Sequence, residues 1–358
     1  MENKGLLFIP DISGFSRFVS QTEIEHSRLI IQELLEILLN ANQMGLEVSE
    51  VEGDAILFYR FGASPNLEEV YKQVERMFCA FHQHLLAYDQ RRYCYCTACN
   101  AAIDLTLKVI THYGEFVGYS IKHFNKLIGK DVIVAHQLLK NDIALHEYWL
   151  VTPPVAGRQS APAGFATWME WNSSAIHTES GEIPFHYTHI GQLKNELLPE
   201  PIPHLELASK TKVLSFSREY ETDVRTLFHA TGDFNYRSRW QEGVKTVEEI
   251  GHLLPRVGMK CRCVMEDGQV CIVYSNSYAF SGERIEFSET DERKMTTTYF
   301  TLEKTGHKKT KLTIDFYLRK SIARLVLFVL TSRKKMRERY NKSLLNLERL
   351  VQEIKLPD

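Results

Sequence analysis

Apolar and polar positions alternate in recognisable blocks along the first half of the chain. An apolar run over residues 6–10 stops at one acid, Asp11, and passes through Ser13-Gly14 into a stretch where Ile24, Leu29, Ile30, Leu34, Leu35, Leu38 and Leu39 keep helical spacing. A strand is therefore expected over 5–10 and a helix after it. Residues 46–61 hold two apolar runs around Gly53-Asp54, the pattern of a β-hairpin. Asn66 and Glu69 have capping-box spacing and predict a helix over 64–86. The stretch "DLTLKVITHYGEFVGY" reads as a strand ending near Gly114, "GKDVIVAHQLLKND" as a short strand entering a helix, and "HEYWLVTPP" as a further strand. A βαββαβ order of this kind predicts a ferredoxin-like α/β sandwich within an α+β chain.

Residues 153–206 are rich in Pro, Gly, Ser and Thr, with one strand expected in "EIPFHYTHIG". We divide the chain into a first domain over 1–198, a linker over 199–209 and a second domain over 210–358. The second domain opens on the alternating "KVLSFSREYE", continues through a short helix and several strands, and closes on a long amphipathic helix from about Ser321 to Ile354. Its apolar part, "IARLVLFVL", is expected to pack on its own sheet and the basic "TSRKKMRERYNK" to face water. The rival reading has both touch an anionic membrane.

Bulk composition narrows the function. A chain of 358 residues exceeds one ordinary core, so two domains are expected. A formal net charge of −2 gives no general reason to expect nucleic acid as a partner. The N-terminal apolar run is too short for a signal peptide. "IARLVLFVL" is about half a bilayer span and carries Arg324, so no transmembrane segment is expected and the protein is read as cytoplasmic. Seven cysteines do not suggest a disulfide framework in a chain of this size. Three of them, Cys94, Cys96 and Cys99, would bind zinc with a fourth ligand such as His112 or another histidine. The favoured alternative is that they fill a partly buried segment as small apolar residues.

The two acids carry the sharpest chemistry. A carboxylate at a strand end and another in an adjacent hairpin turn can sit side by side. They repel unless a cation lies between them, and oxygen ligands beside a triphosphate favour Mg²⁺ or Mn²⁺. Backbone amides of Ile12, Ser13, Gly14 and Phe15, at a helix start, could hold phosphate oxygens. The plainer alternative is that Asp11 caps a helix and Asp54 suits its turn.

These residues resemble a known family. "FIPDISGFSRF" and "VSEVEGDAILFYRF" are similar to the two metal-aspartate motifs of class III adenylate and guanylate cyclase domains. "LTLKVITHYGEFVGY", "KLIGKDVIVAHQLL" and "FHYTHIG" resemble later segments of the same domain, so the likeness runs over roughly residues 5–195. The resemblance implies that Asp11 and Asp54 hold divalent ions, that the amides after Asp11 touch phosphate, and that Glu50 and Lys126 occupy the base-reading positions. It also implies a site formed across a homodimer or heterodimer. The family's transition-state asparagine and arginine fall on Ile133 and Gln137. Ile133 offers no polar group and Gln137 no charge to set against developing negative charge, and losing one preorganised donor of this kind costs on the order of 10²–10³ in rate.

Residues 210–356 resemble the helix-grip superfamily of START-like and polyketide-cyclase-like (SRPBCC) proteins, through "FSREYETDVRTLFHATGDFNYRSRWQEGVKTVEEI", "VGMKCRC", the strands and the final helix. That likeness implies a curled sheet around the last helix and an apolar cavity, which Phe228, Phe234, Trp240, Tyr299 and Phe316 would line for a small hydrophobic ligand. The combined expectation is a regulatory or sensory protein: a degenerate cyclase-like domain binding a metal-nucleotide, joined to a ligand-binding domain. The alternatives are an active purine nucleotide cyclase, and a lipid carrier in which the acids are relics.

Overall fold

Leu6, Leu7, Phe8 and Ile9 are all buried although successive strand residues face opposite ways, so the strand that contains them is covered on both faces. In this computed structural model, which describes residues 3–122, 124–157, 165–178, 181–199, 201, 205–250 and 256–354, that strand is β1, Lys4–Ser13. The chain divides into two compact units, one of residues 1–87 with 97–199 and the other of 88–96 with 200–358. Part of the expected linker, residues 200 and 202–204, lies outside the described residues.

In the first unit β1 is followed by α1 (Phe15–Gln21), α2 (Ile24–Asn40), β2 (Glu47–Glu52) and β3 (Ala55–Phe61). Then come α3 (Leu67–Arg91), α4 (Thr97–Ala101), β4 (Thr106–Glu115) and the hairpin β5 (Val117–Ile121) with β6 (Phe124–Ile128). The unit ends with α5 (Lys130–Leu138), β7 (Tyr148–Val151), α6 (Pro153–Ala156), β8 (Trp171–Thr178) and β9 (Gly181–His189). Its sheet runs β2-β3-β1-β4-β7-β9-β8. The first four positions, with β1 antiparallel to both β3 and β4, are the strand order of a ferredoxin-like sandwich. Asn66 caps α3 by accepting from the Glu68 N–H at 2.9 Å, while Glu69 turns to Arg60 instead of closing a capping box. The strand expected around Val132–Val134 is part of α5, because Val132, Val134, Ala135 and Leu138 bury one helical face.

Proline in a central strand removes a ladder donor. Pro10 is tolerated because the β1–β3 register pairs Phe8 with Phe58 and resumes only at Asp11 with Ala55. That resumption places Asp11 against the β2–β3 turn.

The second unit contains β10 (Lys210–Tyr220), α7 (Val224–Gly232), α8 (Arg237–Trp240) and β11 (Val244–Ile250). β12 (Lys260–Met265), β13 (Val270–Phe280), β14 (Arg284–Asp291), β15 (Thr296–Gly306) and β16 (Lys309–Arg319) follow, then α9 (Ile322–Thr331) and α10 (Arg333–Glu353). The seven strands order as β10-β16-β15-β14-β13-β12-β11, every neighbouring pair antiparallel. Trp240, Phe287, Phe300, Leu344 and Leu347 belong to one buried cluster, where each such side chain contributes roughly 1.5–3 kcal/mol. The single closing helix expected from the sequence is broken at Ser332, whose φ of −121° leaves the helical range. Beside the break the Thr331 hydroxyl donates back to the Leu327 carbonyl at 2.8 Å, a bond that loosens a helix end. The apolar part, α9, does not pack on the sheet as expected: among its large side chains only Phe328 is buried.

The five aromatics expected around one cavity fall in three environments. Trp240 and Phe316 are inside the main cluster with Phe228 partly buried against it, and Phe234 sits in a smaller cluster with Val244, Met259, Cys261 and Cys263. Tyr299 lies on the other face of β15 from Phe300, because strand residues alternate.

Candidate functional site

Gly14 takes a left-handed conformation, φ 91°, and turns the chain from β1 straight into α1, whose first bond runs from the Phe18 N–H to the Gly14 carbonyl at 2.9 Å. The turn leaves Asp11 near the edge of the site with its side chain 13% exposed. Gly53 and Asp54 form the β2–β3 turn, and the Asp54 carbonyl accepts the Ile12 N–H at 3.0 Å. The Ile12 amide is thus already engaged, a correction to its expected role as a phosphate donor. Ser13 is buried and paired with Thr106, so Gly14 and Phe15 are left at the mouth of the expected anion loop.

The structure brings Asp11 and Asp54 together with a third residue that sequence reasoning missed. Lys108 on β4 is the register partner of Asp11, and its Nζ stands 3.5 Å from the Asp11 carboxylate. Burial pushes the Asp11 carboxyl from the usual 3.8 up to about 6; Lys108 pulls it down and the negative charge of Asp54 adds to the rise. Burial also raises Asp54. Two desolvated carboxylates and one ammonium form an electrostatic pocket that is short of positive charge when both acids ionise. Their hard oxygen donors fit Mg²⁺ or Mn²⁺, with Lys108 supplying part of the neutralisation in the protein itself.

A second cluster forms on β2, β6 and α5. Glu50 pairs with Lys126, and His136 Nε2 lies 3.5 Å from the other Glu50 oxygen, with Glu52 3.9 Å from Nδ1. The two residues assigned by resemblance to base reading therefore neutralise each other. Ile133 is 60% exposed and Gln137 half-buried one turn further along α5.

His112 is not available as a zinc ligand. Its Nδ1 meets Thr152 Oγ1 at 2.8 Å and its Nε2 meets Asp131 at 2.9 Å, while the other Asp131 oxygen accepts the Glu115 N–H at 2.6 Å. Burial lowers the His112 pKa against the raising influence of Asp131. The imidazole beside a cysteine belongs instead to His26, whose Nδ1 is 3.4 Å from the Cys99 sulfur. His26 and Cys99 both belong to the first unit. The signal that could have found His26 is its place on α2, the helix that contacts α4.

Residues 31–148 match a family described as "Protein of unknown function (DUF2652)". The uncharacterized protein Rv2561/Rv2562 of Mycobacterium tuberculosis (strain ATCC 25618 / H37Rv) is 30% identical over 124 residues, which is 35% of this chain and 58% of that one. The chain thus spans under two thirds of that relative's length. Among solved structures, the catalytic core of a rhodopsin-guanylyl cyclase with converted specificity, in complex with ATPalphaS, is similar over 52% of this chain and 96% of its own, at 12% identity and a TM-score of 0.38. The adenylyl cyclase CyaB from P. aeruginosa is similar over 52% and 93%, at 16% identity and a TM-score of 0.36. The guanylate cyclase domain of RhGC from Catenaria anguillulae, in complex with GTP, covers 52% and 96%, at 11% identity and a TM-score of 0.36.

Proposed function

We propose that the first unit binds a purine nucleoside triphosphate through a divalent cation held by Asp11 and Asp54, and that the chain serves as a regulatory or sensory protein. The observation that carries this reading is the pair of desolvated acids brought together by strand register, with Asp11 held at about 6. A purely structural aspartate would be capped or fully paired, whereas a cation here would neutralise both carboxylates and take phosphate oxygens. Ile133 and Gln137 on α5 support binding without efficient turnover, since they offer no charge to a transition state. The Glu50–Lys126 pair supports weak base selection, because each group would have to leave the other to read a base.

Exposed apolar residues on one region of the unit, Val117, Ile121, Ile128 and Ile133, support self-association or pairing with a related chain. The strand order of the second unit, with α7 and α8 between its first two strands and α10 packed on them, supports a helix-grip reading. The dispersal of its aromatics leaves the ligand-binding part of that reading to a different lining.

Thermal unfolding with each nucleoside triphosphate, with and without Mn²⁺, tests the site in wild type and Asp54→Asn. A nucleotide at about a hundred times its Kd should add roughly 2.7 kcal/mol. A stabilisation that needs Mn²⁺ and is absent from the variant is expected. No shift with any nucleotide in folded protein would overturn the reading in favour of relic acids. Chromatography of the nucleotide after incubation separates binding from cyclisation: intact triphosphate is expected, and rapid pyrophosphate release would favour the active cyclase.

A further inference from the structure

Helices at a protein surface normally turn a broad apolar face inward; α9 does the reverse. At about 100° per residue, Ile322, Ala323, Val326, Leu327, Val329 and Leu330 share one arc. All six are exposed, Ile322 at 84% and Leu330 at 78%. The opposite side is narrow: Leu325 is half-buried and Phe328 buried, its ring stacked on Phe316 at 6.3 Å. The helix is thus pinned to the second unit by one edge and presents its hydrophobic side to solvent.

Charge frames that face. Between Arg319 and Lys342 the chain carries nine basic residues and a single acid, Glu338. Lys320 precedes the helix and Arg333, Lys334, Lys335 and Arg337 follow it, all exposed. Among the described residues none of these five makes an ion pair, while basic residues elsewhere on this unit, such as Lys212, Arg218 and Lys309, do. A second copy of this face would bring two basic collars together with only Glu338 to offset them, so self-association is opposed by charge. An acidic bilayer satisfies both features at once.

We propose that α9 lies flat on an anionic phospholipid membrane, its apolar arc at the acyl boundary and Lys320, Arg333, Lys334, Lys335 and Arg337 among the headgroup phosphates. Ten residues of helix extend about 15 Å, half a hydrocarbon core, so the contact is interfacial and not spanning. The break at Ser332 lets α9 rest on the surface while α10 stays in the core of its unit.

Vesicle co-sedimentation of the full chain tests this without nucleotide or metal, so its outcome is independent of the nucleotide site. Wild type should pellet with vesicles of phosphatidylcholine and phosphatidylserine, stay in solution with phosphatidylcholine alone, and be released by high salt. Each basic residue contributes roughly fivefold, so Lys334→Glu with Lys335→Glu should weaken partitioning by at least about twentyfold. Val326→Asp with Leu330→Asp should abolish it. Both pairs are exposed, and unchanged thermal unfolding would confirm that the variants fold. Failure of folded wild type to bind acidic vesicles overturns the proposal, as does binding that ignores Val326→Asp with Leu330→Asp. Analytical ultracentrifugation showing a dimer that those two aspartates dissolve, with no vesicle binding, would reassign the face to a protein interface.

Discussion

Replacing Asp11 by asparagine should make the metal-free protein more stable, and the size of the gain follows from the burial of that carboxyl. Its pKa stands near 6 in the folded protein against 3.8 ordinarily. Between those values the folded chain binds more protons than the unfolded one, so stability falls as pH rises through the interval from about 4 to 6. A carboxyl raised that far makes its ionised form cost roughly 3 kcal/mol at pH 7. A carboxamide in its place has no charge to desolvate, so Asp11→Asn is expected to gain about that amount at pH 7 and almost nothing below pH ~4. The assay is urea unfolding across that pH range in chelator, repeated with Mn²⁺. The cation should stabilise wild type and leave the variant unmoved. Equal stability of the two proteins at pH 7 in chelator would refute the reasoning, because it would mean that Asp11 is solvated or fully compensated by Lys108. Equal stabilisation by Mn²⁺ would place the cation elsewhere.

One further prediction concerns neighbouring structure. A Cβ on Gly114 would overlap the Asp131 carboxyl carbon, so Gly114→Ala should displace Asp131 from His112 and from the Glu115 N–H. At roughly 1.5–3 kcal/mol per charged hydrogen bond the loss should be about 3 kcal/mol or more by urea unfolding, and a change below about 0.5 kcal/mol would show that the Asp131 contacts are dispensable.

Local order was legible from the chain because it depends on neighbours two to four residues apart. The run from Leu6 to Pro10, the turn at Gly53-Asp54 and the cap at Asn66 each appear where periodicity and turn chemistry placed them. The break at Ser332 escaped that reading, since Thr331-Ser332-Arg333 includes no Gly or Pro to mark a helix end. Periodicity also misjudged Val132–Val134, where burial of a helical face overrode the β-branched run.

The candidate site lies on the other side of that line. Asp11 and Asp54 were both visible as acids at strand ends, but their company was not. Lys108 reaches Asp11 only through the register of β1 on β4, which pairs positions ninety-seven residues apart. Glu50 meets Lys126 through the packing of β6 beside β2, and Asp131 meets His112 through the packing of α5 on β4. The face of α9 was undecidable for a different cause. A helix apolar nearly all round carries no sign of which side is covered, and only the packing of Phe328 on Phe316 decides that the rest stays in solvent. Sequence by itself determined where most strands, helices and turns fall, because those choices are governed largely by short-range sterics and side-chain alternation. Tertiary structure alone decided which charges meet and which apolar face is left open, because both are set by contacts between residues that the chain keeps far apart.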